Sequence, residues 1–196
     1  MLDKSFWDNR YQTQETQWDL KSVSPPLKEI IDSLDNKNCS ILIPGCGNAH
    51  EAEYLIKSGF TNITVIDIAP SPVEQLKNKF NKGELNIVLG DFFQHQGAYD
   101  LILEQTFLCA IDPILRTDYV KKCHALLREN GSIRGVLFNV QFENPGPPFG
   151  GSNEEFEKLF LPHFHFIKFE PCTNSVEKRK GNEVLIELRK KNIPTI

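Results

Sequence analysis

The sequence contains no apolar run that approaches the ~18–20 residues of a membrane span. It has no surplus of positive charge. Its 22 Lys and Arg stand against 26 Asp and Glu, a net charge of −4, which argues against a protein that binds a phosphate backbone. It has no C-x-x-C pair. Its five cysteines (Cys39, Cys46, Cys109, Cys123 and Cys172) are odd in number, which fits reduced thiols better than a disulfide framework or a zinc site. Cys123-His124 and His163-x-His165 lack a third and fourth ligand nearby, so no metal is expected. No internal repeat or low-complexity tract is found. The first residues, Met1-Leu2-Asp3-Lys4-Ser5-Phe6-Trp7-Asp8, carry acids where a signal peptide carries Lys or Arg, so a cytoplasmic protein is expected.

What is present is a globular composition, 40% hydrophobic and 24% charged over 196 residues. One domain over 1–196 is expected, able to bury roughly 70% of the surface its unfolded chain exposes. Strand-like and helix-like segments alternate, the pattern of an α/β fold with a parallel sheet wrapped by helices. Strands are expected at 40–43, 62–67, 85–89, 99–105 and 132–138, and a hairpin at 163–170 and 183–189. Helices are expected at 25–34, 49–58 and 153–161. Ser71-Pro72-Val73-Glu74 reads as a capping box opening a helix to about Phe80. Asp112-Pro113 reads as the cap of a helix to about Arg128, closed by Asn130-Gly131. Residues 139–152 hold three Pro and three Gly and read as a long loop. Residues 1–22 read as an arm rather than core.

Three features carry chemistry. Gly45-x-Gly47 lies between a buried strand and a helix, where glycine lets the backbone turn tightly and approach a ligand. The third glycine of a dinucleotide fingerprint is replaced by His50, which weakens the case for NAD. Asp67 ends the second strand, 22 residues after Gly45, where an acid can accept both hydroxyls of a ribose. Asp91 follows the third strand beside Phe92 and Phe93; its carboxylate can accept the exocyclic amine of adenine while an apolar neighbour packs on the ring. Lys178-Arg179-Lys180 reads as a solvated hairpin turn, and Arg116 and Asp118 as surface positions.

Pro44-Gly45-Cys46-Gly47, Asp67, Gly90-Asp91-Phe92-Phe93 and Tyr99-Asp100-Leu101-Ile102 resemble an S-adenosylmethionine-dependent methyltransferase of the Rossmann-like kind. Phe6-Trp7-x-x-Arg10-Tyr11 with Trp18-Asp19 is similar to the thiopurine S-methyltransferase family. Thr106-Phe107-Leu108-Cys109-Ala110-Ile111-Asp112-Pro113 and Pro145-Gly146-Pro147-Pro148-Phe149 look most like its thiol and halide methyltransferase branch. The resemblance implies the class I fold: a seven-stranded, mostly parallel sheet with the last strand antiparallel and helices on both faces. It implies that Gly45 and Gly47 lie against the methionine part of S-adenosylmethionine and that Asp67 holds the ribose. Asp91 and Phe92 would flank the adenine, Glu104 would sit near the methionine amino group, and Trp7, Tyr11 and Trp18 would close over the cofactor. Phe107, Cys109, Phe142 and Phe149 would form the substrate pocket. Two positions depart from the pattern: Tyr11 stands where relatives more often carry Trp, and Glu104-Gln105 replaces an Asp-Tyr or similar pair.

Methyl transfer from a sulfonium needs alignment and exclusion of water. A thiolate, bisulfide, halide or thiopurine arrives already nucleophilic, so no general base is assigned. Cys46 and Cys109 read as pocket-lining thiols. The expected partner is a small-molecule methyl acceptor, with no nucleic acid and no membrane. Two other readings share some of these residues: an NAD-dependent oxidoreductase, and an S-adenosylmethionine-binding protein without turnover.

Overall fold

In the computed structural model, residues 2–192 are described. A seven-stranded sheet carries the fold: β1 (Ile41–Pro44), β2 (Ile63–Asp67), β3 (Asn86–Leu89), β4 (Tyr99–Gln105), β5 (Leu127–Phe138), β6 (Phe164–Pro171) and β7 (Glu183–Lys190). Their order is β3-β2-β1-β4-β5-β7-β6. The first five strands pair in parallel, and β7 runs antiparallel between β5 and β6. This is the class I methyltransferase architecture.

The strands are apolar on both faces, as helices on both sides of a parallel sheet require. Alternate residues feed two cores. Ile41, Ile43, Val65, Leu101 and Leu103 point to one side, with Leu27 and Ile31 of α2 (Pro25–Asp32) and Ala52 and Leu55 of α3 (His50–Lys57). Leu42, Ile66 and Ile102 point to the other, with Tyr119 and Val120 of α5 (Arg116–Leu126) and Phe156 and Phe160 of α6 (Asn153–Phe160).

Two helix starts differ from expectation. The helix after β2, α4 (Pro70–Lys79), begins at Pro70 with no side-chain cap from its N-cap residue. Asp8 in the N-terminal helix α1 (Lys4–Gln12) instead accepts from the Ser71 amide at 2.7 Å. A carboxylate distant in sequence thus does the work the capping box was expected to do. Asp112 caps a short 3-10 turn, Pro113–Leu115, before α5, which ends at Leu126. Asn130 and Gly131 lie within β5, where its register on β4 shifts.

The order places β1 between β2 and β4, so the connections leave its carboxyl end toward opposite sides. An open α/β sheet binds ligands at such a point. Gly135 of β5 pairs with Glu104 at the end of β4, and a Cβ there would run into the Glu104 carbonyl. Gly135→Ala should therefore destabilise the domain by about 1–3 kcal/mol, the usual cost of overpacking, read as a lower urea midpoint. An unchanged midpoint would mean that β5 shifts aside at no cost.

Candidate active site

A cavity of about 710 Å³ opens at the carboxyl ends of β1 to β4, beneath the N-terminal arm. After β1 the chain turns through Gly45 (φ 58°) and Gly47 (φ 48°), both in the left-handed region that favours glycine. Asp67, only 7% exposed, ends β2. Its Oδ2 accepts from the Gly47 amide and its Oδ1 from the Ala69 amide, both at 2.9 Å. Burial raises its pKa, and these backbone donors oppose the rise. Asp91 is exposed on the rim, where its Oδ1 accepts from the Phe93 amide. Phe92 is buried below it, with its ring 5.1 Å from that of Phe107.

Glu104 does not reach the cavity wall. It is wholly buried, with Oε1 accepting from the amides of Phe107 (2.8 Å) and Leu108 (3.0 Å) and Oε2 from the Tyr119 hydroxyl (2.6 Å). Burial raises its pKa against those three donors. The expected place beside a cofactor is thus replaced by an inward one, because the turn at Thr106 (φ 63°) folds the chain back over the carboxylate. The same turn lays the Phe107 ring against Gly45, where a Cβ would strike it. Phe107, Cys109 and Phe142 lie on the cavity wall. Phe149 does not; it faces a small space behind the wall with Glu104 and Phe156. Burial pushes the Cys109 thiol up to about 12, and that of Cys46, also on the wall, well above its ordinary value. Neither is a thiolate near neutral pH.

The arm lines the cavity with Trp7, Tyr11 and Trp18, whose rings meet edge to face at 5.6 Å (Trp7–Trp18) and 5.9 Å (Tyr11–Trp18). The Tyr11 hydroxyl sits where a Cβ on Gly47 would be only 2.6 Å from it. Asp19 fastens the arm. Its Oδ1 contacts His50 Nε2 at 2.8 Å, and its Oδ2 accepts from Asn48 Nδ2 at 2.5 Å and Lys21 Nζ at 2.8 Å. A second tie joins the Trp18 carbonyl to Arg179 Nη2 at 2.9 Å.

Arg179 is 7% exposed and lies on the cavity wall, not in a solvated turn. Its Nη1 is 3.5 Å from Glu183 but makes no hydrogen bond. Arg116 is likewise buried rather than superficial. It holds the 139–152 loop through the Gly150 carbonyl and forms an ion pair with Glu155. Asp19, Asn48, His50, Glu51 and Arg179 were not among the expected site residues. For Asn48, His50 and Glu51 the usable signal is their place directly after the glycine turn. Arg179, inside a charge run, offers none. Among the described residues there is no cluster of three or more metal-ligating side chains and no helix long and apolar enough to cross a membrane.

Burial alone would raise the pKa of Asp19, but hydrogen bonds from Lys21, His50 and Asn48 outweigh it and lower it from 3.8 to about 2. A carboxylate depressed in the folded state stabilises above its unfolded pKa and loses that contribution as pH falls through the folded one. The arm should stay fastened down to about pH 4 and loosen as pH falls toward 2. Asp19→Asn should loosen it at neutral pH. The chain's two tryptophans, Trp7 and Trp18, both lie in the arm, so fluorescence reports it alone. An unchanged emission spectrum in Asp19→Asn would show that the fastening lies elsewhere.

The family described as thiopurine S-methyltransferase matches residues 2–195. A probable thiol methyltransferase 2 of Arabidopsis thaliana is 28% identical over 186 residues, covering 91% of this chain and 82% of its own. Thiocyanate methyltransferase 1 of Brassica oleracea is 25% identical, with 97% and 87% covered. Among solved structures, the 1,6-didemethyltoxoflavin-N1-methyltransferase of Burkholderia thailandensis, determined with S-adenosylhomocysteine, superposes with a TM-score of 0.78 at 18% identity, over 96% of this chain and 87% of that one. Magnesium protoporphyrin IX methyltransferase from Synechocystis gives 0.72 at 12% identity, over 96% and 97%. At those identities the structures speak to the fold, whereas the family match spans nearly the whole sequence: the chain belongs to the thiopurine S-methyltransferase family.

Proposed function

We propose that this chain transfers the methyl group of S-adenosylmethionine to a small sulfur or halide anion. The observation that carries the reading is the pairing of an acid-lined crevice at the ends of β1, β2 and β3 with a buried cation, Arg179, on the wall of the same cavity. The cavity's residues fit the cofactor. Asp67 accepts from the Gly47 and Ala69 amides, and a carboxylate has lone pairs beyond these with which to accept from a ribose. Asp91 on the rim and Phe92 below it, both on the cavity wall, support an adenine amine and ring at this end. Gly45 and Gly47 let Phe107 and Tyr11 pack directly on the turn that floors the crevice.

When bound, the cofactor supplies a methyl carbon on a positively charged sulfur, displaced in line with an incoming lone pair. The chain's own work is alignment and exclusion of water. Trp7, Tyr11 and Trp18 cover the crevice, and aromatic faces favour a neighbouring cation. Phe107, Cys109 and Phe142 give the acceptor end an apolar wall. Nη1 of Arg179, which makes no hydrogen bond among the described residues, offers an N–H to the acceptor's negative charge. The acceptor's anion needs no base from the protein. Five free cysteines support a reducing, cytoplasmic setting.

Methyl-transfer assays with iodide, bisulfide and small thiols test the reading. With iodide, which has no proton to lose, the rate should be flat between about pH 6 and 9. With a thiol, kcat/KM should rise and level off near that thiol's own pKa, about 8.5 for a cysteine-like acceptor. An inflection that ignored the acceptor would reveal an enzyme base. Arg179→Met should raise the KM for iodide and bisulfide about tenfold or more, as expected for losing a hydrogen bond from a charged donor. If acceptor KM stayed the same, Arg179 would hold only the arm.

A further inference from the structure

Arg179 touches two parts of the molecule that serve different ligands. It ends a short 3-10 turn (Glu177–Arg179) ahead of β7 and lies on the cavity wall, 7% exposed. Its Nη2 donates to the Trp18 carbonyl of the arm at 2.9 Å. Its Nη1 is buried and makes no hydrogen bond among the described residues. Glu183 lies 3.5 Å from Nη1 and balances its charge without accepting from it. The ring of Phe138, also on the cavity wall, lies 5.6 Å from the guanidinium carbon. A buried N–H with no acceptor is unfavourable. With the Trp18 carbonyl in place, the arm thus covers Arg179 at a cost that an anion at Nη1 would remove. The guanidinium is a planar fork, so fixing Nη1 also fixes the direction of Nη2.

We propose that Arg179 couples the arm to the acceptor: the acceptor's negative charge at Nη1 holds the arm closed over the cofactor, and the arm loosens once methylation removes that charge. The proposal rests on the methyltransferase reading above, which puts an anion beside Arg179. In the transfer, a lone pair of the acceptor forms the bond to the methyl carbon. The electron pair of the broken carbon–sulfur bond stays on the cofactor's sulfur. A thiolate leaves as a thioether and iodide as methyl iodide, both uncharged, and no proton is exchanged. Nη1 is then unmatched again. The arm suits such control, because none of the residues of α1 is fully buried and its ties to the rest of the chain include single polar contacts from Asp8, Asp19 and Trp18. Linked binding is reciprocal, so anion and cofactor should each tighten the other by the same factor.

Calorimetry with S-adenosylhomocysteine, which has no methyl group to give, measures the coupling without turnover. Wild type would be titrated in sodium iodide and in sodium fluoride of equal ionic strength, the strongly hydrated fluoride serving as control. Iodide should raise the affinity for S-adenosylhomocysteine about tenfold. Arg179→Met should bind it equally in both salts, and that binding shows that the variant is folded. Hydrogen exchange on the wild-type complex needs no variant. Iodide should slow exchange of the arm's backbone amides, whereas dimethyl sulfide, uncharged like the products, should not. Three results would each overturn the coupling and leave the methyltransferase reading standing: equal wild-type affinities in the two salts, an iodide effect that survives in Arg179→Met, or the same arm exchange with iodide as with dimethyl sulfide. If wild type bound S-adenosylhomocysteine in neither salt, the methyltransferase reading itself would fail, and the coupling with it.

Discussion

A carboxylate with no cation in contact among the described residues is buried at the end of β4, and the shape of the site follows from how it is satisfied. Glu104 takes two amides from the segment that follows it and a hydroxyl from Tyr119 of α5. Leaving such a group unmatched would cost several kcal/mol, so the chain after β4 must fold back over it. That fold puts Thr106 in the left-handed region and sets the Phe107 ring on the first glycine turn. Phe107 in turn contacts Phe92, below the Asp91 rim. One internal hydrogen-bond cluster therefore sets the spacing between the β1 turn, the β3 end and the acceptor wall.

Above this floor the arm is held at three separated points. Asp8 caps α4, Asp19 joins the glycine turn, and the Trp18 carbonyl meets Arg179 near the start of β7. Each contact reaches a different connection of the sheet. The arm has little apolar core of its own: none of the residues of α1 is fully buried. Its position depends on polar contacts at its ends and on edge-to-face aromatic packing between them, not on a core of its own.

Much of this was readable from residue order. The strands repeat β-branched and leucine positions with sharp turn residues after them, so β1 to β4 fell within a residue of expectation. Gly45, Gly47, Asp67 and Asp91 follow strand ends, where sequence position alone puts them at the crevice. Three of the failures share one cause, contacts between residues distant in sequence, and the fourth is local. Asp8, 63 residues away, replaces the expected cap on α4. Arg116 and Arg179 look superficial in local sequence, yet Glu155 and Gly150 draw in the first, and Glu183 and Trp18 the second. Glu104 stood at the correct strand end but faces inward, because a reversal two residues later decides its direction.

Cys46 and Cys109 line the cavity, and both are themselves sulfur nucleophiles in waiting. Their burial among apolar neighbours and acids keeps both protonated, and a neutral thiol is a poor nucleophile. A methyltransferase with thiols on its cavity wall is thereby protected from alkylating itself: burial makes these cysteines poor nucleophiles. An anion from solvent brings its own charge with it, whereas burial disfavours a charge on the resident thiols.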